Sequence, residues 1–111
     1  MLQILARKNL PDVVLCANDN WATGALKACG DFGIKIPEEI GIVGNDGTII
    51  SGYGYIPFTT VTQPLEIMAR RVVKLLDALI KMEPLPEHSM KIPGTITWRN
   101  SSRIPSSEKS Q

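Results

Sequence analysis

The chain has 111 residues, 43% hydrophobic and 21% charged, with 12 Lys+Arg against 11 Asp+Glu for a net charge of +1. That is ordinary globular composition in a length sufficient for one small core, which excludes wholesale disorder. The near-neutral balance gives no electrostatic case for nucleic-acid or membrane binding by this stretch. No apolar run reaches the ~20 residues needed to cross a bilayer. The opening "MLQILARKNLPD" carries its charges after its apolar residues and has no small-residue cleavage site, so it does not read as a secretory signal. Cys16 and Cys29 form neither a CxxC motif nor a disulfide framework. A reducing cytoplasm is therefore the expected compartment, with both thiols as small buried apolar groups.

In chain order, Met1 to Lys8 reads as the last turns of an amphipathic helix, as though the chain started within a domain. Val13 to Ala17 is a short, continuously apolar run, which predicts a parallel strand buried on both faces. From Asn20 to Phe32 the apolar positions Trp21, Ala25, Leu26, Ala28, Cys29 and Phe32 follow a helical stripe. Asn18 or Asp19 is the natural N-cap, and Gly33 the left-handed stop. "IKIPEE" is a loop, because Pro37 is hostile to a central strand. Ile40 to Val43 is a second buried strand closed by Gly44-Asn45-Asp46-Gly47, and strand, helix, strand makes a βαβ unit. Thr48 to Phe58, with two glycines and a proline, predicts a long surface loop, and Thr59-Thr60-Val61 a brief extended piece. Pro64 opens a helix in which Leu65, Met68, Ala69, Val72, Leu75, Leu76, Leu79 and Ile80 form a clean stripe opposite Arg70, Arg71, Lys74, Asp77 and Lys81. "MKIPGTITW" is a last extended segment, with Trp98 expected in the core, and "SSRIPSSEKSQ" a polar, frayed tail.

In open α/β sheets ligands sit outside the carboxyl ends of the strands. Both predicted strands end in short polar residues, Asn18-Asp19-Asn20 after the first and Asn45-Asp46 after the second. Asn offers donor and acceptor together and ionised Asp only acceptors, a set suited to a neutral, hydroxyl-rich ligand such as a sugar. The same residues cap helices and make turns in any protein. Ligand contact and capping therefore stand side by side for each cluster, and Asp19 is assigned to capping. Other chemistries lack their parts. His88 is a single surface histidine in a Pro-rich loop, so no triad or metal cluster can be assembled, and no GxGxxG or GxxxxGK[ST] phosphate cradle occurs. No catalytic residue, metal or cofactor is expected.

The order "PDVVLCANDNWATGALKACG", "IPEEIGIVGND", "IPFTTVTQP" and "ITWRNSS" resembles the LacI/GalR family of bacterial transcription regulators, with matches running from Pro11 to Ser102. The resemblance implies the C-terminal part of their effector-binding domain: an incomplete parallel-sheet α/β lobe of a periplasmic-binding-protein-like (type I) fold, closing on a small effector of the sugar class. Domain organisation follows as residues 1–102 for that portion and 103–111 for the tail. Asn18 and Asp46 match residues that hydrogen-bond the effector, while Asn20, Gln63 and Leu65 lie near the cleft. The helix after Asn18 and the loop after Asp46 resemble parts of the family's dimer interface. The implied function is effector sensing that shifts a dimer between DNA-binding states, without enzymatic activity. The helix-turn-helix headpiece is outside the matched region, and the implied partners are an effector and a second copy or full-length subunit, with no direct DNA contact from this stretch and no membrane. A periplasmic-type sugar-binding protein fragment and a truncated dimerisation module are the alternatives. The sequence departs from the pattern at Asn45, where an aromatic is usual, at Gly47, where a second acid is common, at Trp21 in place of a smaller apolar residue, and at Ile56 in place of a proline. In family members the helix matching Leu65 to Ile80 packs on the first lobe, so its stripe is expected to need cover from elsewhere.

Overall fold

A computed structural model describes residues 1–85 and 89–104. The expectations for His88 and for the tail beyond residue 104 lie outside these described residues. The elements are α1 (Leu2–Leu5), β1 (Val13–Leu15), α2 (Asp19–Asp31), β2 (Gly41–Asp46), a 3-10 turn (Ile49–Gly52), β3 (Thr59–Thr62), α3 (Leu65–Ile80) and β4 (Thr95–Thr97). The strands form one sheet in the order β1-β2-β3-β4. Pairing is parallel from β1 to β2, with Val14 opposite Ile42, and parallel from β2 to β3, with Asp46 opposite Thr62. The α/β fold with a mostly parallel sheet expected from the sequence is the fold observed. The chain divides into two compact units, Met1–Thr62 with the segment from Ile96, and Gln63–Thr95.

In the first unit, Cys16, Ala22, Ala25, Cys29, Ile40, Ile42 and Phe58 form the core. Small residues on the inner face of α2 let the helix lie close on the sheet; Ala22 and Cys29 are completely inaccessible. The helix ends where the sequence places its stop. Gly33 takes φ +67°, its N–H donates to the Gly30 carbonyl, and the Ile34 N–H donates to the Cys29 carbonyl at 2.9 Å. These are the two bonds of a Schellman closure. Both cysteines are free and buried as expected. Burial pushes both thiol pKa values up, and the neighbouring Cys16 raises that of Cys29 further.

Four expectations need correction. β1 is an edge strand: Val14 faces the core, but Val13 and Leu15 on the other face are 52% and 69% exposed, because α2 covers only one side of the sheet. Thr48 to Phe58 is not a plain surface loop, since it contains the 3-10 turn, a buried Ser51 and the core residue Phe58. Trp98 is half-buried rather than core. Ser101, read as tail, is fully buried. Its hydroxyl donates to the Ile42 carbonyl and accepts from the Thr59 N–H at 2.9 Å, while its carbonyl accepts from the Ile42 N–H at 2.8 Å. A polar residue outside any strand thus joins β2 to β3, and every buried side-chain polar atom described has a hydrogen-bond partner.

The second unit is α3 with the segment that follows it. α3 begins after Pro64, as the sequence predicts, and carries Glu66–Arg70 and Asp77–Lys81 ion pairs on its polar face. None of its residues is buried. Leu65, Val72, Leu76, Leu79 and Ile80 are all more than half exposed, while Met68 and Leu75 of the same stripe are half-buried.

Candidate functional site

The carboxyl ends of β1 and β2 adjoin. Cys16 N–H donates to the Val43 carbonyl at 2.8 Å, and Asn45 Nδ2 donates to the Ala17 carbonyl at 3.3 Å, one residue before Asn18. Asn18 then leaves the strand in an extended conformation and caps α2, its Oδ1 accepting from the Trp21 N–H at 2.9 Å. The cap uses the side-chain oxygen; Asn18 itself is half-buried. Asn20 lies exposed on the first turn of α2, and Trp21 is 67% exposed beside it.

Asp19 does not cap the helix, which corrects the sequence-based assignment. It is the first residue inside α2, and its side chain reaches across to the loop after β2. There Oδ2 accepts from Thr48 N–H and Thr48 Oγ1, each at 2.7 Å, and Oδ1 accepts from Thr60 Oγ1 at 2.6 Å. With only 1% of its surface accessible, this carboxylate is tolerable in the interior because three donors surround it. No local pattern announces the role. A short acid at a helix start looks the same whether it caps its own turn or ties down a loop 29 residues away.

Asp46 is the last residue of β2 and has φ +143°, a region that favours glycine. Such conformations cost of order 1–3 kcal/mol in non-glycine residues and gather at functional positions. Gly47 follows at φ +72°, and a Cβ there would come within 2.6 Å of the Thr62 Cα. The glycine standing where the resembled pattern has an acid is thus required by close backbone approach in this chain. Gly44 serves the same end, since a Cβ would meet the Phe58 ring at 2.8 Å and the Asp19 carboxylate. β2 continues through Gly44–Asp46, three residues that the sequence assigns to the strand's close, because they pair in register with Thr60–Thr62 of β3.

Of the five predicted site residues, Asn18, Asn20 and Asp46 belong to the first unit. Gln63 and Leu65 belong to the second, at the start of α3, where Leu65 is 62% exposed. Among the described residues no group of three His, Cys, Asp or Glu could hold a metal ion. No described helix is long and apolar enough to cross a membrane.

A parallel sheet that delivers amide and carboxylate side chains to its carboxyl rim defines a class, the α/β ligand-binding domains. Within that class the chain belongs to the family of periplasmic binding protein-like domains, whose model matches residues 1–102. It is 36% identical over 110 residues to the HTH-type transcriptional regulator GalR of Escherichia coli K12, covering 99% of this chain and 32% of that protein. A structure of the lac repressor dimer bound to operator and an anti-inducer superposes with a TM-score of 0.82 at 26% identity, over 93% of this chain and 36% of that one. The transcriptional regulator CelR in complex with cellobiose superposes at 0.75 with 28% identity, over 82% and 28%. The chain thus spans about a third of the length of the curated relatives it matches. These relatives are transcriptional regulators of the LacI/GalR kind rather than enzymes, in agreement with the resemblance read from the sequence.

Proposed function

We propose that residues 1–102 are the C-terminal portion of the effector-binding domain of a cytoplasmic LacI/GalR-type regulator. In this reading a neutral, hydroxyl-rich effector of the sugar class meets Asn18 and Asp46, with Asn20 near it. The observation that carries the reading is the parallel pairing of β1 with β2, which sends Asn18 and Asp46 off the same end of the sheet. The strained φ of Asp46 adds weight, because a conformation that costs stability persists where it serves a purpose. Asp46 supplies acceptors for sugar hydroxyls, and the amide of Asn18, whose oxygen is taken by the cap, supplies donors. Similarity to a regulator solved with cellobiose supports the ligand class.

The output would be a shift in a dimer between states that differ in DNA affinity, with the ligand favouring the state it binds better. The outer face of α2 and the loop at Tyr53–Ile56 are the proposed dimer contact. Tyr55 is fully exposed there, and the cavity of about 520 Å³ between helix and loop is lined by Leu26, Ile34 and Tyr53 among others, whereas Trp21, 67% exposed, stands on another flank of α2 beside Met1, Ile4 and Leu15.

The test is a titration of ¹⁵N-labelled chain with D-glucose, D-galactose, D-ribose and cellobiose, followed by amide chemical shifts. Saturable shifts centred on Asn18–Asn20 and Asn45–Thr48, with millimolar affinity (about −4 kcal/mol) and lost in Asp46→Ala, are expected. Absence of saturable shifts with every sugar, or shifts that survive Asp46→Ala, would overturn the assignment.

A further inference from the structure

We infer that Asp19 is a positioning residue for the effector site: buried and out of reach of a ligand, it holds the Asp46-Gly47-Thr48 turn in the conformation that presents Asp46. This rests on the reading of Asn18 and Asp46 as effector contacts. The two residues after Asp46 are both tied to Asp19. Thr48 N–H donates to its Oδ2 at 2.7 Å. Gly47 N–H donates at 3.2 Å to Thr60 Oγ1, which in turn donates at 2.6 Å to its Oδ1. Two successive backbone amides are thus fastened, one directly and one through a single hydroxyl, just beyond a residue held at φ +143°. A strained φ is kept only where surrounding bonds over-determine it, and these bonds do so. The carboxylate is also the immediate neighbour of Asn18, so one buried group joins the chain beside one proposed contact to the chain beside the other. A capping aspartate would accept from N–H groups of its own first turn; the three partners of this one lie 29 and 41 residues away in sequence.

The decisive variants remove the hydroxyl bridge while keeping side-chain shape: Thr60→Val, with Thr60→Ser as the restoring control. The readouts are the amide–Hα coupling constant of Asp46, which reports φ, and hydrogen exchange at Gly47 and Thr48 measured against Cys16 and Ile42 in the core. Thr60→Val is expected to raise the Asp46 coupling towards values for negative φ. It should speed exchange at Gly47 and Thr48 at least tenfold more than at Cys16 and Ile42, and weaken sugar binding at least tenfold. Thr60→Ser should restore all three. An unchanged Asp46 coupling, or exchange that rises equally at all four amides, would show a purely structural bond and overturn the inference. If Thr60→Val does not fold, Thr48→Val, which removes only the Thr48 Oγ1 bond, is read by the same two criteria. The coupling and exchange need no ligand. Sugar binding that survives Asp46→Ala would defeat the effector-contact reading, whereas the Asp46 coupling in Thr60→Val judges the positioning role by itself.

Discussion

The two long helices of this chain carry the same kind of sequence pattern and meet opposite fates. α2 has the weaker stripe, and Trp21 and Phe32 in it are exposed, yet the helix buries four residues, two alanines, a cysteine and an aspartate. α3 has the cleaner stripe of leucines, valines and isoleucines, and it buries none. An apolar face records that cover is required; it does not say what provides it. What seats α2 is complementarity in size and polarity: small side chains at Ala22, Ala25 and Cys29 allow close approach, and Asp19 finds three donors waiting on β3 and the loop after β2.

The contrast can be broken or sharpened by mutation. The largest effect belongs to Asp19→Ala, which removes three hydrogen bonds to a charged group and leaves the buried Thr60 hydroxyl without its acceptor. At about 1.5–3 kcal/mol for a hydrogen bond to a charged group, with the donors of the exposed Thr48 able to turn to water, a loss of about 3–5 kcal/mol is expected in urea denaturation, and a loss below 1 kcal/mol would show the network to be ornamental. Next is Ile42→Ala on the strand beneath α2, expected to cost about 2–5 kcal/mol as a cavity in a fully buried position. Asn18 separates capping from binding. Asn18→Ala should cost about 1 kcal/mol, whereas Asn18→Ser keeps the cap and the stability but weakens sugar binding in the amide-shift titration. On the uncovered helix, Leu76→Ala should change stability by less than about 0.5 kcal/mol, as for a surface site; a cost of 2 kcal/mol would mean the stripe is covered in solution.

The buried thiols give a pH signature of the same contrast, since Cys29 is on the inner face of α2 and Cys16 is in the core it packs against. Their pKa values are raised by burial in the folded state, so the unfolded chain releases these protons first as pH rises past the ordinary thiol value of about 8.5. The unfolded state then binds fewer protons than the folded one, and stability falls with increasing pH. Denaturation midpoints at pH 7 and pH 9.5 should therefore fall in that order, and Cys29→Ala should reduce the difference.

Legibility from sequence divided along physical lines. The boundaries of α2 and α3, the cap at Asn18, the stop at Gly33 and the entry at Pro64 depend on residues within one turn of each other, and they were readable to within a residue. The polar character of the chain at Asn18 and Asp46 is readable because it is a local feature. Asp19 reads locally as a cap, and Thr48, Thr60 and Ser101 read as ordinary polar residues, because their partners lie 29 to 59 residues away. A hydroxyl carries no periodic signal to mark it as interior.

By itself, then, the sequence determined the kinds of element, their order, and the polar character of the strand ends, since helix periodicity, caps and turns are decided by near neighbours. Only the tertiary structure decided that β1 is an edge, that Thr59, Thr60 and Ser101 are core, and that Asp19 faces the loop rather than its own helix. Each of these follows from which segments come to lie side by side. That is settled by packing and by the need of every buried polar group for a partner.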